Sequence, residues 1–184
     1  MYRHWEQVLI GTVLGGASLT RPPKGKTHYL SMRGNYEPWL LYKMAELQRF
    51  FVEPKMYKYG STYRCHSCCS EELTKFYDLL YKDGIRQVSQ EILDPMMAIG
   101  LATWFLDGGG KTGRDRKNIY FNTTKYGETG VTTVKEYFNS LGYDCEIHQG
   151  KNRSKVLLSV DASQKLLYKI VLPVLPLYLL KNRS

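Results

Sequence analysis

Hydrophobic positions along this chain follow a helical period in some segments and a strand period in others, and the order of these segments occurs twice. Gly60-Ser61 marks a hairpin turn, and Ser70 followed by two glutamates marks the start of a helix. The periods predict helices over residues 5–16, 37–51, 71–82, 94–107, 132–141 and from residue 162. They predict strands over residues 28–33, 55–59, 62–67, 118–122, 145–149 and 155–160. The predicted fold class is therefore α+β.

The repeat divides the chain into two halves, residues 1–93 and 94–184. The apolar helix at residues 101–108 aligns with the one at residues 9–16, and strands and helices follow each in the same order. In the earlier helix, Gly11 and Gly15 lie one turn apart, so this face allows a second helix to approach closely. No low-complexity linker separates the halves, so we expect them to form one unit.

Composition and charge narrow the class of function. The 184 residues include 26 Lys and Arg against 17 Asp and Glu, which gives a net charge of +9. Such an excess predicts a polyanionic partner, with nucleic acid as the first candidate. The apolar stretch at residues 170–180 is too short to span a membrane, and Pro173 and Pro176 interrupt it. The N-terminus has no signal-peptide pattern, so we expect an intracellular protein.

Two other kinds of site are disfavoured by spacing. Cys65 and Cys68, with His66 between them, could begin a zinc site, but no second pair of ligands completes it. The segment Gly108-Gly-Gly-Lys-Thr-Gly113 looks like a phosphate loop, but Phe105 stands where that motif requires its first glycine. The cysteines, at 65, 68, 69 and 145, are therefore expected to be free thiols in a reducing compartment.

Two motifs at a half-length spacing carry a resemblance to a known family. They are Leu14-Gly-Gly-Ala-Ser-Leu19, at the end of the first apolar helix, and Leu101-Ala-Thr-Trp-Phe-Leu-Asp-Gly-Gly-Gly110. Pro95-Met-Met before the second motif, the turn at residues 81–86 and the Pro173-x-x-Pro176 ending extend the match. Over nearly its whole length, the chain resembles the monomeric LAGLIDADG homing endonucleases.

The resemblance implies a fold and an activity. The fold would consist of two pseudo-symmetric αββαββα halves that form a saddle, with the motif helices packed side by side and antiparallel sheets in the DNA major groove. The activity would be site-specific recognition of double-stranded DNA and its metal-dependent cleavage, with Mg²⁺ as cofactor. One chain would bind a target of about 20 base pairs, made of two half-sites.

The catalytic positions depart from the family pattern. The family keeps an acidic residue at the C-terminal end of each motif helix, where carboxylates hold the metal that activates water. The aligned positions here are Gly16 and Gly108. Asp107 is adjacent, but one step along a helix turns a side chain by about 100°. We therefore predict a chain that binds DNA but does not cleave it. The candidate metal positions are Gly15, Gly16, Asp107 and Gly108, and the family's auxiliary cations correspond to Arg86 and Lys181.

Basic and polar residues concentrate in the predicted turns and strands of both halves, where Arg and Lys can contact guanine and Asn can contact adenine. The candidate DNA-binding residues are Arg21, Lys24, Lys26, Ser31, Arg33, Asn35, Lys55, Lys58, Arg64, His66, Lys111, Arg114, Arg116, Lys117, Asn122, Thr124, His148, Lys151, Arg153 and Lys155, with Tyr63 and Ser159 as further strand candidates. Two alternatives stay open: an RNA-binding intron maturase and a non-catalytic DNA-binding regulator.

Overall fold

The order of elements is repeated along the chain in the computed structural model, which describes residues 1–151, 153–176 and 179. The elements of the first half are α1 (His4–Gly15), β1 (Ser18–Thr20), β2 (Tyr29–Gly34), α2 (Glu37–Glu46), β3 (Met56–Tyr59), β4 (Thr62–His66) and α3 (Glu71–Leu80). A connection follows, made of β5 (Tyr81–Lys82), β6 (Ile85–Arg86) and α4 (Gln90–Leu93). The second half contains α5 (Ala98–Gly108), β7 (Gly109–Thr112), β8 (Asn118–Asn122), α6 (Gly127–Ser140), β9 (Cys145–Gly150), β10 (Arg153–Leu158), α7 (Val160–Leu166) and α8 (Leu172–Val174). The predicted α+β class is confirmed.

Each half contains an antiparallel sheet of four strands over the described residues. The strand orders are β1-β2-β4-β3 and β7-β8-β10-β9, so the two sheets have the same topology. Residues directly opposite each other in such a ladder point to the same face. Leu30, Met32 and Cys65 share the face that packs on the helices, as Phe121 and Val156 do in the second sheet. The opposite face of each sheet is open.

Helices α1 and α5 pack against each other at close range in the centre of the molecule. A side chain at Gly11 would collide with the carbonyl oxygen of Gly100, so the contact requires glycine. Gln7 fixes the N-terminal end of α5, because its Nε2 donates to the Pro95 carbonyl at 2.8 Å and its Oε1 accepts from the Met97 N–H at 2.9 Å. The predicted close approach of the two motif helices is confirmed.

The structure corrects several predicted boundaries. Helix α3 ends at Leu80 and not at residue 82, because Tyr81 is extended and pairs with Arg86. Asp83 and Gly84 both have positive φ (52° and 75°), as a two-residue type I′ hairpin turn requires. The helix predicted over 94–107 begins only at Ala98, after Pro95, as α5, and the separate short helix α4 precedes it; the helix predicted over 37–51 ends at Glu46 before a 3₁₀ turn.

The C-terminal part of the described chain continues from α7 through a π-helical segment (Leu167–Val171) into α8. The helix predicted from residue 162 is thus present and begins two residues earlier, at Val160. No helix in the described part of the chain combines the length and the apolar character needed to cross a membrane.

Candidate functional site

A groove of about 890 Å³ lies where α1 and α5 end, with residues of both halves along its walls. It is lined by Gly15, Gly16 and Asp107, by residues of the second sheet, and by Arg33 from the first sheet. Apart from Asp107, the charged side chains that line the groove in the described chain are basic. They are Arg33, Lys43, Arg86, Lys111, Lys125, Arg153 and Lys155. The groove is therefore an electropositive cleft at the end of the helix pair.

The two aligned glycines have local geometries that suit glycine. Gly16 follows the last residue of α1 with φ of 142°, a region that L side chains rarely adopt, and its N–H bonds the carbonyl oxygens of Thr12 and Val13 at 3.2 Å. Gly108 ends α5, and a Cβ there would lie 2.7 Å from the carbonyl oxygen of Gly15. Neither aligned position offers a carboxylate. Of the two positions only Gly16 has open space beside it, since apart from its two chain neighbours no described residue has an atom within 4 Å of the point that a Cβ would occupy.

Asp107 is held by two side chains of α2, in the other half. Its Oδ1 accepts from Trp39 Nε1 at 2.5 Å, and its Oδ2 pairs with Lys43 Nζ at 2.6 Å. The side chains of Lys43 and Asp107 are 2% and 11% exposed. Both carboxylate oxygens thus have partners within the protein. Asp107 is the one carboxylate among the described residues that line the groove, so the donors at this site do not fit Mg²⁺, which proteins hold through one or two available carboxylates.

Arg86, one of the two predicted auxiliary cations, lies in the groove and is 6% exposed. Its Nη2 donates to the carbonyl of Ala17 at 2.6 Å, next to Gly16, while its Nε is buried without an acceptor. No acidic side chain of the described chain forms an ion pair with it. The second predicted cation, Lys181, lies outside the described residues.

Lys125 is a groove residue that sequence reasoning missed. It lies in the turn after β8, where the next residue, Tyr126, donates its buried hydroxyl to the carbonyl of Leu14 at 2.5 Å. Partial withdrawal from water, and then the positive charges of Arg86 and Arg33, lower the pKa of Lys125. A signal was present, because Lys125 lies only one residue beyond the proposed Thr124, just after the predicted strand 118–122.

Strand register places eight of the predicted DNA-binding residues on the open faces of the sheets. In the first sheet, Ser31 lies opposite His66 and Arg33 opposite Arg64, on the face away from the buried Met32. In the second sheet, Lys155 lies opposite both Asn122 and His148, on the face away from Val156. The residues on these faces are Ser31, Arg33, Arg64 and His66 in the first sheet, and Asn122, His148, Arg153 and Lys155 in the second.

Two lysines fall on the opposite faces by the same criterion. Lys58 pairs with Tyr63, on the same side as Met56, and its Nζ lies 5.3 Å from the Tyr63 ring. Lys111 lies opposite the buried Ile119, although it borders the groove at the sheet edge. Alternation along the sequence does not assign these faces, because β7 has no strand pattern of its own and the register of β3 depends on its pairing.

The remaining candidates lie in turns or at strand ends. Exposed side chains in turns are Arg21, Lys24, Lys26, Lys55, Arg114, Arg116, Lys117 and Lys151. Asn35 and Thr124 follow their strands, and the Oγ1 of Thr124 bonds the Ser154 carbonyl at 3.3 Å. Ser159 has a structural contact instead, since its hydroxyl accepts from the Ala162 N–H and caps α7.

The open faces also carry aromatic and acidic groups. Lys155 Nζ lies 4.9 Å from the centre of the Tyr120 ring, and the Arg64 guanidinium lies 5.4 Å from that of Tyr59. Glu146 shares the open face of β9 with His148, and the Oε1 of Glu146 lies 2.6 Å from the Nε2 of His148. The faces therefore combine cations, amides and rings, which are the side chains that contact base edges and phosphates.

Comparison with known proteins identifies similar sequences and folds. The model of the LAGLIDADG DNA endonuclease family matches residues 6–166. No curated protein matches the chain by sequence. The homing endonuclease I-WcaI bound to its DNA recognition sequence has a TM-score of 0.82 at 18% identity, over 95% of this chain and 83% of that chain.

Two further solved structures share the fold at lower similarity. I-DmoI in complex with DNA and Mn has a TM-score of 0.63 at 14% identity, over 91% of this chain and 96% of that chain. The N-terminal LAGLIDADG domain of DUF199/WhiA has a TM-score of 0.57 at 14% identity, over 92% of this chain and 83% of that chain. Other I-DmoI complexes with DNA contain Ca or were formed in the presence of Mg. All these likenesses fall below 20% identity and show the fold.

Proposed function

Because this chain belongs to the LAGLIDADG DNA endonuclease family, we propose that it binds a specific site on double-stranded DNA as one chain without cleaving it. The observation that carries the proposal is the combination of two basic sheet faces with two helix ends where the aligned residues are glycines and the one nearby carboxylate, Asp107, is already bound by the protein. Each sheet would lie in the major groove over one half-site, as two-stranded and wider β elements do in other DNA-binding proteins.

Binding follows from the charge and chemistry of the open faces. Arg33, Arg64, Arg153 and Lys155 come from both halves and point away from the core. Arg and Lys pair with guanine O6 and N7, and Asn122 suits adenine. The turn lysines and arginines add contacts to phosphates, which fix register and make affinity depend on salt.

The absence of cleavage follows from the groove floor. Hydrolysis by the family's chemistry requires carboxylates that hold a divalent metal against the phosphate. Gly16 and Gly108 supply none, and the carboxylate of Asp107 is bound by Trp39 and Lys43. The remaining oxygens at Gly15, Gly16 and Gly108 are backbone carbonyls. We therefore assign no reaction step to a metal in this chain, and we assign to Arg86 and Lys181 the neutralisation of phosphate charge.

The test begins with selection of a target from a randomised duplex library. The unaltered chain should then bind this duplex and leave both strands intact with Mg²⁺ present. The double variant Gly16→Asp/Gly108→Asp should produce double-strand cleavage, whereas the matched variant Gly16→Asn/Gly108→Asn should bind without cutting. Both double variants carry the same crowding of residue 108 against Gly15, which costs about 1–3 kcal/mol of stability, and the same backbone strain at residue 16, so the comparison isolates the carboxylates.

Efficient cleavage by the unaltered chain would overturn the proposal, and would mean that Asp107 or another acid carries the chemistry. Each single Asp variant should give partial activity biased to one strand. Failure of the folded Asp/Asp variant to cut a duplex that it binds would show that other groups of the groove are also missing.

A non-catalytic regulator that binds DNA is the second candidate, and the paired glycines favour it. It differs from the first in biological role and not in binding chemistry. Competition between the selected duplex and a structured RNA at fixed salt separates both from an RNA-binding maturase, because the open sheet faces suit the DNA major groove and not the narrow major groove of an RNA helix.

A further inference from the structure

Arg86 is a buried cation whose charge has no counter-ion in the described chain. The residue is 6% exposed, one guanidinium nitrogen donates to the Ala17 carbonyl, and its Nε has no acceptor. Burying a charge without an opposite charge is costly, and a buried donor without a partner adds to this cost. An anion in the groove would reduce both costs, because it would neutralise the charge and accept a hydrogen bond from Nε.

Lys125 approaches the same place from the second half of the chain. Its neighbour Tyr126 bonds the carbonyl of Leu14, and Arg86 bonds the carbonyl of Ala17, so these two anchors flank Gly16 on either side in sequence. The turn that carries Lys125 is thereby fixed to the end of α1. The two cations are brought together by backbone acceptors of one helix end and not by a carboxylate.

Arg33 completes the group from the open face of β2 and also lines the groove. All three side chains line the same groove, and both guanidinium groups lie close enough to Lys125 to lower its pKa, after the larger effect of its partial burial. Like charges repel, so the three side chains favour a ligand with negative charge. No ion pair with an acidic side chain involves any of the three in the described residues.

Gly16 leaves room for that ligand. Apart from its two chain neighbours, no described residue has an atom within 4 Å of the point that a Cβ at this position would occupy, and the residue borders the groove. A carboxylate here would occupy this space and neutralise part of the positive charge. With glycine, both the space and the charge remain.

We infer that Arg33, Arg86 and Lys125 form an anion site beside Gly16 that binds one phosphate group without a metal ion. The ligand class is a phosphate, either free in solution or in the backbone of a nucleic acid. The inference deepens the proposed function, since it names the groups that would hold the central phosphate of a bound duplex. It assigns Lys125 a binding role and makes DNA affinity independent of divalent metal.

The experiment uses inorganic pyrophosphate as the free anion and the selected duplex as the polymeric one, both with EDTA present. Calorimetry should detect pyrophosphate binding to the unaltered chain, and Lys125→Met should weaken it at least fivefold. Lys75→Met removes an exposed lysine of α3 away from the groove and should leave the affinity unchanged. Gly16→Asp should weaken pyrophosphate binding as Lys125→Met does.

Duplex binding distinguishes the sources of the phosphate. A fivefold loss of duplex affinity in Lys125→Met, together with an unchanged value in Lys75→Met, supports use of the site by DNA. Pyrophosphate binding that depends on Lys125 in a chain that binds no duplex would support the anion site while refuting the proposed function. If Lys125→Met and Gly16→Asp change neither affinity by more than about twofold while both variants stay folded, the inference is overturned.

Discussion

Replacing Asp107 with asparagine tests whether the ion pair with Lys43 fixes the end of α5 to the first half. The change keeps an oxygen for the Trp39 N–H but removes the charge opposite Lys43, whose side chain is 2% exposed. Removing one partner of a buried pair costs about 3–5 kcal/mol, because the other charge stays buried without compensation. Since the Trp39 bond can remain, we expect a value near the lower end, about 3 kcal/mol.

For a chain of this length, that loss corresponds to a fall in Tm of about 6–12 °C. It leaves a folded protein if the total stability lies in the usual range of about 5–15 kcal/mol. Urea unfolding, followed by tryptophan fluorescence and by circular dichroism, measures the free energy of unfolding. Lys165→Met is the matched control, because it breaks an exposed i,i+4 pair with Asp161 and should not shift the transition measurably.

A double-mutant cycle provides the sharper result. Lys43→Met removes the buried ammonium while keeping most of its length, so Lys43→Met/Asp107→Asn leaves no charge in the site. We expect the double variant to be at least about 2 kcal/mol more stable than the sum of the single effects predicts. Additive effects, or a cost below about 1 kcal/mol for Asp107→Asn, would refute the view that this pair holds the two halves together.

Three other predictions follow from packing, burial and charge. Gly11→Ala should lower the free energy of unfolding, measured by urea unfolding, by about 3 kcal/mol, because the new Cβ would collide with the facing helix. The control Gly150→Ala should change it by less than about 0.5 kcal/mol, because the Cβ there meets its nearest atom at 3.7 Å. Burial raises the pKa of Cys65 and Cys145 to about 11. A thiol reagent at pH 8 should therefore label the exposed Cys68 and Cys69 rapidly, and should label Cys65 and Cys145 only after unfolding. Fast reaction of all four thiols would contradict the packing. Lys151→Met, in the turn between β9 and β10, should reduce the slope of log affinity against log salt for the selected duplex by about 1, and an unchanged slope would remove this turn from the interface.

Local periodicity in the sequence predicts much of the fold. The repeat, the close pairing of α1 with α5 and the strands of both hairpins all follow from apolar spacing and glycine placement. Strands β1 and β7 do not, because Ser18–Thr20 is too short to show alternation and Gly109–Thr112 begins with two glycines. Pairing with β2 and β8 makes them strands, and that pairing is tertiary.

The candidate site is predictable in position but not in its connections. The helix ends at Gly16 and Gly108 follow from motif alignment, and Arg33 and Lys155 follow from strand patterns. The partners of Asp107 do not, because Trp39 and Lys43 lie more than 60 residues away in sequence and meet it through helix packing. The position of Lys125 in the groove is equally hard to predict from the sequence, because its proximity to Arg86 depends on a hydrogen bond between Tyr126 and the first half.

The hydrogen bonds that cross between the halves determine how the protein would respond to a change in half-site spacing. Gln7 joins α1 to the start of α5, and Tyr126 joins the end of α1 to the turn after β8, so both ends of the helix pair are tied. The two sheets are thereby held at one distance and one rotation. Inserting a base pair at the centre of a target would displace one half-site by about 3.4 Å and rotate it by about 35°. A chain tied in this way cannot follow that shift by swinging one half, so it should discriminate strictly against targets that differ only in the length of their central spacer.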